Sequence, residues 1–106
     1  MLIDHHVELN SVNQIQQTPM HRAAAQGHKA FVKLLLDAKA RVNSRDHEGN
    51  TPLHLACEEQ HGDVILELIL NGGDMYRVNQ AGQTPYDLCQ PTTRSFLAIH
   101  LEEENK

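Results

Sequence analysis

The side chains in this 106-residue sequence best equipped for chemistry are eight histidines and two cysteines. Imidazole and thiolate are zinc ligands, and a thiol beside an imidazole can act as a nucleophile. Their spacing argues against both uses. Cys57 and Cys89 are distant in the sequence and neither belongs to a Cys-x-x-Cys pair, so neither a zinc ribbon nor a disulfide framework can be drawn. His5-His6 has no third ligand at helical spacing, such as a His-Glu-x-x-His pattern would supply. His54 and Cys57 are helix neighbours, but Cys57 takes the place of a packed alanine and reads as an inert buried thiol. The sequence contains no Gly-x-Ser-x-Gly elbow, phosphate loop or dinucleotide fingerprint. The expectation is a protein that is not an enzyme and that holds no metal or cofactor.

Composition points to a binding module. Of the 106 residues, 26 are Leu, Ile, Val or Phe, above the roughly 20% below which chains tend to stay disordered. A globule of this size has little room for a large enclosed active site. A net charge of -5 without a polybasic block argues against nucleic acid or a membrane surface as partner and favours protein. Apolar runs stop after three residues and the start lacks a basic region followed by an apolar one, so a cytoplasmic or nuclear location is expected.

The elements that must position these side chains follow from a period. Thr18-Pro19, Thr51-Pro52 and Thr84-Pro85 recur at one fixed interval, and His21 with His54, Ala23 with Ala56, and Gly49 with Gly82 keep the same register. A Thr before Pro caps a helix and starts it at no cost in hydrogen bonds. Gly49 and Gly82 permit a tight turn two residues earlier, and Gly27 can close the first helix in a left-handed conformation. Phe31, Val32, Leu35 and Leu36 then give a second helix an apolar stripe, as do Val64, Ile65, Leu68 and Ile69. The expected unit is turn, helix, turn, helix. Residues 1–12 read as the end of an incomplete repeat, 13–45 and 46–78 as full repeats, and 79–106 as a degraded capping repeat with a tail.

Thr51-Pro-Leu-His-Leu-Ala56, preceded by Gly49 and followed by Asn71-Gly-Gly-Asp74, resembles the ankyrin-repeat family. The resemblance implies an all-α solenoid of helix-turn-helix units with hairpin-like turns. Within the family, Met20 to Gly27 and Asp46 to Glu59 are similar to the C-terminal repeats of a chaperone of proteasome assembly. That likeness implies a protein partner, the C-terminal domain of a proteasomal ATPase subunit. The other classes it admits are an inhibitor of a cyclin-dependent kinase and a targeting segment of a larger protein. It also implies that His21 and His54 hydrogen-bond the turns of successive repeats. Leu55, Cys57 and Glu59 fit the Leu-x-Cys-x-Glu pattern taken by a retinoblastoma-type pocket, although using it would require the helix to melt.

Several departures carry expectations of their own. The chain begins inside a second helix, which suggests a fragment or short form with an exposed flank around Phe31 and Leu35. Gln60 replaces Gly27 in register, so the turn there should be rearranged. Glu67 falls on a position usually apolar and should either rotate its helix or meet a cation. Pro91 should shorten the third copy's first helix, leaving a final helix from about Thr93 to Leu101 and a solvated acidic tail.

Family geometry places a concave partner groove at Gln14, Ile15, Gln17, Ala25, Gln26, Arg45, His47, Glu48 and Asn50. It continues through Glu58, Glu59, Val78, Gln80, Ala81 and Gln83, with Arg22 at its edge and Arg77 beside the third tip. Charge is segregated along the chain: residues 22–45 hold six bases against Asp37, while residues 46–106 hold three against eleven acids. A partner with the opposite gradient would be steered and oriented.

Overall fold

A computed structural model describes residues 17–104 and contains six helices: α1 (Pro19–Gln26), α2 (Lys29–Asp37), α3 (Pro52–Glu58), α4 (Gly62–Leu70), α5 (Pro85–Leu88) and α6 (Pro91–Glu104). No strand occurs among the described residues. The expected incomplete repeat at 1–12, His5-His6, Gln14 and Ile15 lie outside them. The helices form two layers, with α3 packed between α1 and α5, and α4 between α2 and α6.

The three Thr-Pro sites each start a helix by the same device. Thr18, Thr51 and Thr84 are extended N-caps whose hydroxyls accept from the backbone N–H three residues on, and Pro19, Pro52 and Pro85 follow at the first helical positions. The third residue of each helix answers with its side chain, completing a capping box.

The layers meet in one core. Met20, Ala23, Ala24, Leu53, Ala56 and Cys57 come from the first layer, and Val32, Leu35, Val64, Ile65 and Leu68 from the second. Small residues at 23, 24 and 56 let the first-layer helices approach closely, while each large aliphatic chain buried beside them contributes about 1.5–3 kcal/mol. Leu35, expected on an exposed flank, is completely buried; Phe31 and Leu34 are the members of α2 left 37% exposed. The helix turns Leu35 inward because it lies three residues from Val32, on the same face.

Backbone conformation repeats more strictly than sequence. Among the described residues, six have positive φ, and they form three pairs in the register of the Thr-Pro sites: Gly27 (75°) with Gln60 (59°), Lys39 (71°) with Gly72 (99°), and Gly49 (79°) with Gly82 (77°). The turn at Gln60 is therefore kept in shape rather than rearranged. Its N–H bonds the Cys57 carbonyl and the next N–H bonds that of Ala56, as Gly27 and His28 do with Ala24 and Ala23. Left-handed strain in a residue with a Cβ costs about 1–2 kcal/mol, and at Gln60 the side chain offsets it. Its Nε2 donates to the Leu88 carbonyl at 3.0 Å, and its Oε1 accepts from the Gln90 N–H at 3.0 Å and the Thr93 hydroxyl at 2.7 Å.

Two further expectations need correction. The final helix begins at Pro91, two residues early, because proline suits the first turn, and it continues through Glu104 rather than yielding to a tail after Leu101. Glu67 meets the Asn71 amide, which donates to its carbonyl at 2.8 Å and to its carboxylate at 3.3 Å, and pairs with no cation among the described residues. As expected, α5 is reduced to four residues.

Candidate functional site

The residues with the most specific chemistry, His21 and His54, are fully buried and link successive units. His54 Nδ1 accepts from the Thr51 N–H at 3.1 Å and lies 2.9 Å from the Thr51 hydroxyl. Because Nδ1 accepts, the ring proton sits on Nε2, which donates to the Gln83 carbonyl of the next turn at 2.9 Å. His21 repeats the arrangement, with Nδ1 accepting from the Thr18 N–H at 3.2 Å and Nε2 donating to the Asn50 carbonyl at 2.7 Å. Burial holds both imidazoles below the usual histidine range, against the opposing pull of those carbonyls and of Asp46. Both are neutral structural bridges. In the third copy Asp87 accepts from the Thr84 N–H at 3.0 Å, which keeps the cap but supplies no forward arm.

The turn tips they brace are built from side-chain amides and a carboxylate. Asp46 accepts from the Glu48 and Asn50 N–H groups, both at 2.9 Å. Asn79, its counterpart, accepts from the Ala81 and Gln83 N–H groups at 3.0 and 2.9 Å. The tips are joined by the Gln80 N–H on the Glu48 carbonyl at 3.0 Å, Gln80 Nε2 on the His47 carbonyl at 2.9 Å, and the Asn79 amide on Asn50 Oδ1 at 2.8 Å. A second such rung lies at the other end of the units. There Asn43 donates to the Gly72 carbonyl and accepts from the Asp74 N–H, both at 3.0 Å.

Between the tips and the α3–α5 layer runs a groove of about 460 Å3. Of the partner-groove residues expected from sequence, Glu48 and Glu58 line it, with Gln17, Asn50, Gln80, Ala81 and Gln83. Asp46, Leu55, Asn79 and Leu88 also line it, and sequence reading placed none of them there. Their common signal is register, since Asp46 pairs with Asn79 and Leu55 with Leu88 one period apart. Arg22, Gln26, Arg45, His47 and Glu59 are exposed but outside the groove. Arg77 is also outside it, half-buried and facing Asp74 at 3.8 Å. Its position beside the tip turns its charge to its own loop.

The Leu-x-Cys-x-Glu segment is not presented by the folded chain. Leu55 and Cys57 are buried in the helix and only Glu59 is exposed, because Cys57 packs in the core against the layer of small residues. Hydrogen bonding to Cys89 and burial push the Cys57 thiol well above the usual range, so it is not a thiolate. Among the described residues, no group of three or more His, Cys, Asp or Glu side chains is placed to hold a metal ion, and no helix is long and apolar enough to cross a membrane.

Comparison with curated proteins returns no match. A family model described as ankyrin repeats, in three copies, matches residues 1–86. The regular recurrence of the Thr-Pro caps, the paired helices in two layers and the histidine bridges from cap to turn agree with it, and the chain belongs to the ankyrin-repeat family, whose domains are protein-interaction modules.

Proposed function

We propose that the chain is a gankyrin-like chaperone module whose groove holds the C-terminal domain of a proteasomal ATPase subunit during assembly of the regulatory particle. The likeness of Met20 to Gly27 and Asp46 to Glu59 to gankyrin's C-terminal repeats brings the hypothesis. The observation that carries it is electrostatic. Glu48 and Glu58 face the groove beside Asp46 and a set of amides, while Arg22 and Arg45 stand exposed in the preceding unit. A partner surface with a basic segment over α3 and an acidic one over α1 is attracted and aligned by that arrangement. Exposed charges act mainly on orientation and association rate, while the amides supply hydrogen bonds to a backbone or side chain.

Co-expression with each of the proteasomal ATPase C-terminal domains tests the reading. One domain should co-purify with the chain, and reversing charge with Arg45→Glu and Glu58→Lys together should slow association and weaken capture while leaving the melting profile unchanged. Failure to retain any ATPase domain sinks the proposal. Retention of a cyclin-dependent kinase instead would replace it with an inhibitor of that class.

A further inference from the structure

Cys57 and Cys89 are distant in the sequence, and the fold brings them together. Cys57 lies in α3 and Cys89 caps the end of α5. Both belong to the one apolar core, with Cys57 fully buried and Cys89 4% exposed. Neither is in a disulfide, and their thiols are hydrogen-bonded to each other with Cys57 as the donor. The period of the chain explains the meeting. One repeat earlier the same two positions are Ala24 and Ala56, both fully buried where α1 packs on α3. Small residues at a helix contact let the backbones approach to the roughly 4.4–6.8 Å between Cα atoms that a disulfide spans. In the next copy of that contact the small residues are two thiols.

The two sulfurs are not equivalent. The Tyr86 carbonyl accepts from the Cys89 N–H at 3.2 Å and from Arg94 Nε and Nη2 at 3.2 and 2.8 Å, so the guanidinium stands on the Cys89 side. The hydrogen bond from Cys57, together with the Arg94 charge, holds the Cys89 thiol below the usual range against the opposing effect of burial. Access differs as well. Cys89 ends a helix of four residues and is followed by exposed Gln90 and Pro91, whereas Cys57 closes an unbroken buried run that starts at Thr51. A single helical turn opens locally more readily than the whole domain unfolds, so a small solute reaches Cys89 first.

We propose that Cys57 and Cys89 form a redox site, in which a hydroperoxide oxidises Cys89 and Cys57 then closes a disulfide that staples the end of α5 to α3. In the first step Cys89 Sγ attacks one peroxide oxygen and the O–O bond breaks. The displaced oxygen leaves with the Cys89 proton, as an alcohol or, from hydrogen peroxide, as water. Cys89 is then a sulfenic acid, having given up one electron pair. In the second step Cys57 Sγ attacks Cys89 Sγ, the S–S bond forms as the S–O bond breaks, and the Cys57 proton leaves with the hydroxyl as water. The bond lies behind the groove, since Leu55 and Glu58 stand beside Cys57 on α3, Leu88 precedes Cys89, and all three line it. The site rests on the thiols and not on the identity of the groove's partner.

The test treats the reduced full chain with hydrogen peroxide under native conditions. The chain should lose the mass of two hydrogens and both titratable thiols, without linkage between chains. Trypsin, cutting after Arg45, Arg77 and Arg94, should then release residues 46–77 joined to residues 78–94, and a dithiol reductant should separate them. In Cys57→Ala the sulfenic-acid trap dimedone should label Cys89, and in Cys89→Ala it should label nothing. Each variant takes the alanine found one period earlier, so both keep the packing of that contact. The disulfide should also form faster than a bulky disulfide reagent reaches Cys57, which separates reaction in the native fold from oxidation of the unfolded chain. The proposal is overturned if both thiols survive peroxide, if bonds form only between chains, if dimedone labels Cys57 in Cys89→Ala, or if the bond forms no faster than the bulky reagent reacts.

Discussion

Replacing His54 separates the two bonds that one imidazole makes. In His54→Ala the Thr51 N–H loses its acceptor at 3.1 Å and the Gln83 carbonyl loses its donor at 2.9 Å. Each buried polar group left unsatisfied costs about 1–3 kcal/mol, so the pair costs about 2–6 kcal/mol before any loss of packing. A domain of this length has roughly 5–16 kcal/mol in all, so the loss is a large share of it. His54→Asn is the informative comparison. Its short amide can accept from the Thr51 N–H, as the Asp87 carboxylate does from Thr84 at 3.0 Å, but it does not reach the next turn. It should cost about 1–3 kcal/mol, the carbonyl's share alone.

Urea titration at pH 7.5 reads both values, with the slope unchanged if the native state keeps its surface. The pH dependence gives a second reading. Both histidines have folded values depressed below 6.5. The unfolded chain therefore binds more protons on acidification, and stability is complete above about pH 6.5 and falls as pH drops through the folded values. Each histidine adds to the acid slope in the same direction, by no more than about 1.4 kcal/mol per pH unit, and His54→Asn should make the slope shallower. Equal stability of His54→Asn and wild type, or an acid slope unchanged by the substitution, refutes the bridge as a source of stability.

Three further outcomes follow from backbone and burial. Lys39 is exposed at φ 71°, and Lys39→Gly should raise stability by about 0.5–1 kcal/mol in a thermal melt, since relief of left-handed strain exceeds glycine's added unfolded-state entropy. Gln60→Gly relieves the same kind of strain but removes three bonds to the segment from Leu88 to Thr93. It should lower stability by about 1–2 kcal/mol and speed amide exchange in α5 and the start of α6, whereas a gain in stability would remove Gln60 as an anchor. The Cys57 thiol should resist a disulfide reagent in the native state and react at the rate of unfolding; immediate reaction would contradict its burial.

How much of this was legible in the sequence depends on whether a function needs a residue type or only a backbone shape. Thr-Pro and the histidine two residues after each of the first two prolines announce the caps because few other side chains accept there and donate beyond. Gly49 and Gly82 announce their turns. Gln60 and Lys39 do not, since a left-handed backbone can be held by side-chain bonds or tolerated at the surface, and identity then says nothing about φ. The family's concave positions were legible as a set. Which of them line a cavity was not, because Arg77 turns to Asp74 and Asp46 turns inward to bind its own turn.

The three phase-locked pairs of left-handed residues also set a rule for the lengthening and shortening of this chain. Removing or adding one whole period between equivalent points returns every following residue to the same backbone phase, so each left-handed position again receives a residue of its own register pair. A change that misses the period by a single position shifts the phase and moves ordinary side chains into left-handed positions, with the caps and bridges displaced beside them. The array therefore keeps its backbone phase only when it grows or shrinks in whole units.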